Sequence, residues 1–292
     1  MTRSPTSSHA KPRIVICGLA RDCKKNLRRN WQPLQGILSH TSSCEWVIVE
    51  NDSVDGTKEW LLEKMAQNPS LHVIGESIGE ASIPTKSAGE VRPWFSISRI
   101  GKMAFFRNQY LEFVETRIGF DRIDALLVVD LDVRELPISR ICHWLDQFDE
   151  KCVITAFGIY WRTITSKGFY DAYAYTELDD AGPLNERTVF HRRKDLYRKY
   201  IQEKSPTRLL SNFSGCALYP ARGLHGLRYQ ALPNDDKHVE SLCEHTSLHR
   251  GIHERGGSVV IDPQMKVRYS TVFLDWKRYL GDLVKTSFPG RK

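Results

Sequence analysis

Residues 125–132 read ALLVVDLD: an unbroken apolar run is followed by two aspartates that one leucine separates. Such a run predicts a strand of a parallel sheet that is buried on both faces. Because side chains alternate along a strand, Asp130 and Asp132 are expected on one face and Leu131 on the other. A strand that ends in a solvated acidic turn would look the same locally, so the surrounding sequence has to distinguish the two.

The two aspartates carry like charges that repel each other, and burying either one without a partner would cost free energy. A hard divalent cation, Mn²⁺ or Mg²⁺, would neutralise both because it prefers oxygen ligands. Asp130 and Asp132 are therefore the candidate metal ligands.

Patterns of buried strands and amphipathic helices alternate along the 292 residues. This alternation predicts an α/β fold: a mostly parallel central sheet with helices on both faces, in a single domain with an irregular segment at residues 158–210. Such sheets bind ligands outside the carboxyl ends of their strands. Glu50, Asp52, Asp130 and Asp132 all follow predicted strands at that edge.

A helix that precedes the central strand carries one charged residue on its apolar face. Ser98 is expected to cap it, and the apolar face includes Ile100, Ala104 and Leu111. Arg107 lies on the same face. Its guanidinium either pairs with a structural carboxylate or points into a pocket, and the sequence leaves both interpretations open.

The bulk composition limits the partners and the location. The formal charge of +7 fits a phosphorylated substrate, and no nucleic-acid-binding motif accompanies the dispersed basic residues, so no nucleic acid partner is expected. Seven cysteines without C-x-x-C spacing indicate free thiols in a reducing compartment. Without a secretory signal or a membrane-spanning run, the expected location is the cytoplasm, with attachment to a membrane surface left open.

Four motifs in order resemble those of the GT-A class of nucleotide-sugar-dependent glycosyltransferases, over residues 14–261. ENDSVDGT at 50–57 is similar to the segment that holds the donor base and ribose, and an RN pair stands at 107–108. DLD at 130–132 matches the family's D-x-D motif. EHTSL at 244–248, followed by RGG at 255–257, resembles the family's E-D-x-x-L helix, although His245 stands where many members have Asp.

This resemblance implies the Rossmann-like GT-A fold and a metal-dependent transfer of sugar from a nucleoside-diphosphate sugar to a glycan acceptor. It further implies a place in cell-surface, capsule or other polysaccharide assembly. The implied metal ligands are Asp130 and Asp132, and the implied acceptor-side loop contains Ser214 and Gly215. The implied nucleotide-sugar-binding residues are Glu50, Asp52, Arg99, Arg107, Asn108 and Asp130.

Glu244 and His245 are the candidate catalytic residues near the acceptor. An inverting enzyme needs a base for the acceptor hydroxyl, and we expect Glu244 to serve, with His245 second; a retaining enzyme would not need this base. Neighbours on a helix lie about 100° apart, so both are not expected to face one pocket equally. Aromatic residues between 160 and 175 favour a glycan acceptor, unless they pack in the core.

We expect a lead-in at residues 1–12, a glycosyltransferase domain at 13–272 and a tail at 273–292. Within the domain, 13–135 would bind the nucleotide sugar and 136–272 the acceptor. The alternatives are a non-catalytic nucleotide- or glycan-binding protein on a transferase scaffold and a nucleotidyltransferase. The intact Asp130, Asp132 and Glu244 argue against the first, and the lack of a glycine-rich loop at 17–20 argues against the second.

Overall fold

The computed structural model describes residues 10–75, 77, 93–161, 166–179 and 183–269. Within these ranges, nine strands form one sheet in the order β3-β2-β1-β4-β8-β5-β9-β7, with β6 paired to β5. The strands are β1 (Arg13–Ala20), β2 (Ser43–Glu50), β3 (Leu71–Ile74), β4 (Ala125–Asp130), β5 (Cys152–Trp161), β6 (Lys167–Phe169), β7 (Thr207–Leu209), β8 (Cys216–Pro220) and β9 (Ser258–Arg268).

Most of the sheet is parallel, as predicted. β1 pairs in parallel with both β2 and β4, and β3 continues this half from β2. β8 is antiparallel to both β4 and β5, so β5 and its parallel neighbour β9 run in the same direction as β4. Six of the strands therefore share one direction, and their carboxyl ends meet at one edge of the sheet.

Helices cover both faces of this sheet, which confirms the predicted α/β layering. The helices are α1 (Lys24–Gln35), α2 (Thr57–Gln67), α3 (Ile97–Phe113), α4 (Ile138–Asp146), α5 (Glu186–Gln202) and α6 (Glu244–Glu254). Buried side chains of α1, α2 and α4 pack on one face, whereas those of α3 and α6 pack on the other. α5 covers the β5–β6 end through a third apolar cluster.

Alternation along β4 determines where its last side chain points. Leu127 and Val129 pack in the apolar layer of α1, α2 and α4. Leu126 and Val128 pack in the opposite layer, against α3 and α6. Asp130 is next in this second series, so the period of two directs its carboxylate toward α3 and α6.

The predicted start of α3 is wrong by two residues, and so is its cap. Ser98 lies inside the helix, which begins at Ile97. Ser96 is the N-cap: its backbone is extended (φ −71°, ψ 141°), and its side chain accepts a hydrogen bond from the Arg99 amide at 3.3 Å. Two serines at nearly adjacent positions match the cap pattern equally well, and only the backbone conformation distinguishes them.

Several predictions about the rest of the chain can also be compared with the structure. All seven cysteines are free thiols, as expected. Among the described residues, no helix is both long and apolar enough to cross a membrane. Residues 1–9 of the expected lead-in and the whole expected tail at 273–292 lie outside the described ranges.

Candidate active site

A cavity of about 380 Å³ lies at the carboxyl edge of the sheet, where the ends of β1 and β4 meet α3 and the first turn of α6. Its lining contains three arginines, Arg21, Arg99 and Arg107. It also contains five carboxylates, Asp22, Asp130, Asp132, Asp171 and Glu244. Among the described residues, the cavity lining therefore has more negative than positive side chains, which favours the entry of a cation.

Arg107 connects the two candidate carboxylates. Its Nε donates to Glu244 Oε1 at 3.0 Å, and its Nη2 donates to Asp130 Oδ1 at 3.3 Å. The guanidinium carbon lies 4.9 Å from the centre of the Phe213 ring, and the residue is only 4% exposed. Both interpretations of Arg107 thus hold at once, because it forms a buried ion pair and lines the cavity.

Asp130 is held in place from the other side by the loop that enters β8. Its backbone amide donates to the Gly215 carbonyl at 2.9 Å, and the Tyr269 hydroxyl donates to its Oδ2 at 2.8 Å. Gly215 has a φ of +83°, and a Cβ there would come within 2.0 Å of the Tyr269 hydroxyl. Only glycine fits this position. Ser214, with a φ of 55°, precedes it; the acceptor-side role of this pair stays a prediction.

Asp132 does not lie on the strand as predicted, because β4 ends at Asp130 and the chain turns there. It nevertheless lines the cavity, where its side chain is open to solvent. α1 holds this turn: Asn26 donates to the Asp132 carbonyl at 2.5 Å and Asn30 to the Val133 carbonyl at 2.8 Å. Crowding by protein in the cleft, and then the charge of Asp130, raise the pKa of Asp132 to about 6.

The donor set fits a divalent cation only in part. Asp130 and Asp132 supply the carboxylate oxygens that Mn²⁺ and Mg²⁺ prefer, and within the described ranges no basic side chain forms an ion pair with Asp132. No group of three or more His, Cys, Asp or Glu residues in the described part of the chain could hold a metal.

Glu244 and His245 both line the cavity, contrary to the expected separation. α6 begins at Glu244, so its first turn meets the cavity and two neighbouring side chains reach it. Glu244 is 5% exposed, and its Oε2 accepts from the Cys243 thiol at 3.4 Å. His245 is 1% exposed, and its ring stacks on that of Phe213 with the ring centres 3.8 Å apart. Burial, and then the charge of Arg107, lower the pKa of His245 well below its usual value, so the ring is neutral.

The structure divides the other predicted donor-binding residues into two groups. Arg99 lines the cavity, as does Asn51 beside the predicted Asp52. Glu50 and Asn108 are instead engaged within the fold. Glu50 Oε1 accepts from the Ser53 amide at 3.0 Å. Asn108 Nδ2 donates to the Tyr229 carbonyl at 3.0 Å, and Asn108 Oδ1 accepts from the Tyr229 amide at 2.9 Å.

Asp52 has a left-handed backbone (φ 49°) and hydrogen bonds to Asn51 and Ser77. It is not among the residues that line the cavity. The nucleotide-binding roles of Glu50, Asp52 and Asn108 stay predictions.

Sequence reasoning missed Asp171, which lines the cavity near the Ser214 loop. Its Oδ2 accepts from the Ser214 amide at 3.1 Å, and its own φ is 60°. Burial, and then the nearby carboxylates Asp130 and Glu244, raise the pKa of Asp171 to about 7. The irregular segment around it has no period, so the only signal was an acidic residue within an aromatic stretch.

That aromatic stretch is divided between the core and the cavity lining. Phe169 and Tyr175 are buried in the cluster beneath α5. Tyr170 and Tyr173 line the cavity. Core packing, one of the two interpretations that the sequence left open, therefore applies to part of this segment, and sugar stacking by the tyrosines of the cavity stays a prediction.

Three solved structures resemble this chain at low identity. The first is mannosyltransferase PcManGT from Pyrobaculum calidifontis with GDP-Man and Mn²⁺, at 10% identity and a TM-score of 0.47, and the match covers 89% of this chain and 57% of that chain. The second is GalNAc-T7 with UDP, GalNAc and Mn²⁺, at 12% identity and a TM-score of 0.44, covering 94% of this chain and 48% of that chain. The third is TarS residues 1–349 from S. aureus, at 12% identity and a TM-score of 0.42, covering 91% of this chain and 62% of that chain. The chain spans roughly half to three fifths of each of them. A search of curated proteins found no match.

A family model described as Cryptococcal mannosyltransferase 1 matches residues 25–250. The match includes β2, β4 and the first turns of α6, and thus every motif on which the predicted resemblance to glycosyltransferases was based except the terminal RGG. It covers more than half of the chain. The predicted resemblance to glycosyltransferases is confirmed at the level of the family: this chain belongs to the Cryptococcal mannosyltransferase 1 family.

Proposed function

We propose that this protein transfers a mannosyl group from a nucleoside-diphosphate mannose to a hydroxyl of a glycan. The observation that carries the proposal is the cavity, which brings Asp130 and Asp132 together with Arg107 and Glu244 at the carboxyl edge of the sheet. The family match supports mannose as the transferred sugar. A role in capsule or other cell-surface polysaccharide assembly agrees with that family.

The metal site in this proposal consists of Asp130 and Asp132. A bound Mn²⁺ or Mg²⁺ would supply Lewis-acid stabilisation of the departing diphosphate. The protein holds Asp130 for this role through the Tyr269 hydroxyl at 2.8 Å and Arg107 at 3.3 Å. Arg99 lines the same cavity and can donate to a phosphate oxygen.

The acceptor side of the proposal uses Glu244, Tyr170 and Tyr173. Glu244 is the first residue of α6, lines the cavity and accepts the acceptor proton if the reaction inverts configuration. The two tyrosines line the cavity, and aromatic side chains can pack against the apolar faces of sugar rings. These contacts favour a glycan over a protein acceptor.

A donor panel tests the proposal directly. The purified chain is incubated with nucleoside-diphosphate forms of mannose, glucose, galactose and N-acetylglucosamine, together with mannose oligosaccharides and Mn²⁺. We expect transfer from a mannose donor alone, loss of transfer in EDTA, and recovery when Mn²⁺ is added back. Transfer of a different sugar would refute mannose, and full activity in EDTA would refute the metal site.

A matched variant controls for effects of removing an aspartate. Asp195 on α5 has a side chain that is 76% exposed and lies outside the cavity lining. Asp195→Ala is expected to retain full transfer, whereas Asp130→Ala is not. Binding of a nucleoside diphosphate without turnover of any donor would instead support the non-catalytic alternative.

A further inference from the structure

Three buried nitrogen atoms lack a hydrogen-bond partner among the described residues although their side chains line the cavity: Arg99 Nε, Arg107 Nη1 and His245 Nε2, of which the last two belong to neighbouring side chains. Arg107 is 4% exposed and His245 is 1% exposed. Both side chains approach the same oxygen, Glu244 Oε1, with Arg107 Nε at 3.0 Å and His245 Nε2 at 3.9 Å. Buried donors that stay unpaired cost free energy, so these atoms indicate a place for a ligand oxygen.

A buried hydrogen-bond chain leads away from the other nitrogen of His245. Its Nδ1 lies 3.3 Å from the Tyr219 hydroxyl, which lies 3.0 Å from His249 Nε2. His249 Nδ1 lies 3.0 Å from Ser211 Oγ, and the Thr246 hydroxyl donates to Ser211 Oγ at 3.5 Å. Every member of this chain is a neutral group that can be oriented in only a few ways.

Assigning a donor and an acceptor to each bond of this hydrogen-bond chain selects one tautomer for each histidine ring. If the Ser211 hydroxyl donates to His249 Nδ1, then His249 Nε2–H donates to Tyr219, and the Tyr219 hydroxyl donates to His245 Nδ1. The proton of His245 must then be on Nε2. In the reverse direction, His249 Nδ1–H donates to the Ser211 hydroxyl. The Ser211 and Thr246 hydroxyls then have only each other as acceptors, so one of their two protons has no acceptor among the described residues. Burial lowers the pKa of His249 to about 3, which keeps that ring neutral as the chain requires.

The surroundings of His245 Nε2 favour the same tautomer. Glu244 Oε1 faces this nitrogen at 3.9 Å. An N–H group directed at a carboxylate oxygen is attracted to it, whereas a lone pair in that position would be repelled. The gap of 3.9 Å is too long for a direct hydrogen bond and leaves the N–H available to a ligand.

We infer that Arg107, Glu244 and His245 form a binding site for one sugar hydroxyl, in which His245 donates from Nε2 and does not act as a base. The inference rests on the proposed sugar transfer, and it specifies the chemical group that these three residues recognise. A hydroxyl accepts hydrogen bonds from Arg107 Nη1 and His245 Nε2 and donates one to Glu244, so all three are satisfied together. A phosphate is disfavoured, because Glu244 and Asp130 already neutralise the guanidinium.

The hydroxyl belongs either to the transferred sugar or to the acceptor, and deoxy substrates distinguish the two. Transfer rates are measured for wild type, His245→Phe and His245→Gln with a series of donors that each lack one hydroxyl of the sugar, and with a matching series of deoxy acceptors. His245→Phe keeps the aromatic stack on Phe213 but has no donor. His245→Gln offers an amide donor at nearly the position of Nε2.

We expect His245→Phe to lose roughly 10- to 100-fold in kcat/KM with complete substrates, and His245→Gln to recover most of it. With the one substrate that lacks the recognised hydroxyl, wild type and His245→Phe should be equally slow. An equal loss with every deoxy substrate would overturn the inference. Melting temperatures and nucleoside-diphosphate affinity of the variants show whether His245→Phe has merely unfolded.

Nitrogen NMR of the histidine rings tests the tautomer independently of activity. In protein labelled with ¹⁵N-histidine, the resonances of His245 are assigned by their absence from His245→Gln. We expect a neutral ring with its proton on Nε2 throughout the range of about pH 5 to 8 in which ordinary histidines titrate. A proton on Nδ1, or a positively charged ring, would overturn the inference even if mannosyl transfer is confirmed. Failure of transfer from every donor would refute the proposed function and leave this measurement valid.

Discussion

Asp132 and Glu244 line the same cavity, but solvent reaches them very differently. Asp132 lies in a turn beyond β4 and is an exposed residue, although the protein around its carboxylate still raises its pKa. Glu244 is 5% exposed, and both of its oxygens are engaged, one by Arg107 and the other by Cys243. The charge of Asp132 on one side of the cavity thus has no ion-pair partner among the described residues, whereas the charge of Glu244 on the other side is paired with Arg107.

This difference indicates what each side can bind. An exposed carboxylate beside a second one attracts a cation from solution, because nothing in the described protein neutralises the pair completely. A buried carboxylate that is paired with a guanidinium cannot take up an ion, but it can orient a polar neutral group. We therefore expect loss of the buried cation Arg107 to affect stability first, and substitution of the exposed Asp132 to affect turnover alone.

The largest effect is expected from Arg107→Leu. It leaves Glu244 buried without its cation, and breaking a buried pair in this way costs roughly 3 to 5 kcal/mol of unfolding free energy. Urea denaturation monitored by circular dichroism measures the loss. The double variant Arg107→Leu/Glu244→Gln should recover a large part of it, since the unpaired charge is gone. A single variant as stable as wild type would show that the pair does not support the fold.

Asp132→Ala should leave stability almost unchanged but reduce transfer by roughly 10²- to 10³-fold, as removal of one electrostatic stabiliser does. The exposed position of this residue explains the contrast with Arg107. Rates at saturating Mn²⁺ and the Mn²⁺ concentration for half activity should both be measured. If the variant instead unfolds readily and retains its turnover when folded, the proposed difference between the two sides of the cavity is wrong.

Glu244→Gln keeps the shape of the side chain and removes its charge. We expect turnover to fall by about 10²-fold if Glu244 accepts the acceptor proton, with nucleoside-diphosphate affinity unchanged. Isothermal titration with the nucleotide and initial rates with the donor separate the two quantities. A wild-type rate would indicate that no side-chain base is needed here, as in a retaining enzyme.

Asp171→Asn is expected to have the smallest effect, and one that depends on pH. The pKa of Asp171 is raised to about 7, mainly by burial. Its contribution to stability is therefore fully present below the unfolded pKa near 4 and is lost as the pH rises through about 7. Relative to wild type, Asp171→Asn should gain on the order of 1 kcal/mol between pH 5 and pH 8, since its half-buried carboxylate stays partly hydrated. An unchanged difference across this range would contradict the raised pKa.

The parts of the site that could be predicted are those that follow a regular period. The apolar run before Asp130 is a strand, and its alternation directs Asp130 toward α3 and α6. The inward stripe of α3 similarly placed Arg107 in the interior. Asp171 could not be found this way, because it lies in an irregular segment and reaches the cavity only through the Ser214 loop.

The sequence by itself determined the alternating α/β order, the mostly parallel sheet and the strand end at which Asp130 lies, because these depend on local periodicity and on the burial of apolar residues. Only the tertiary structure decided the partners of the charged groups. Arg107 and Glu244 are 137 residues apart and meet at 3.0 Å, and Tyr269 reaches Asp130 across 139 residues. Such contacts depend on how the helices and strands pack, and no local pattern records the distance between two side chains that are far apart in the chain.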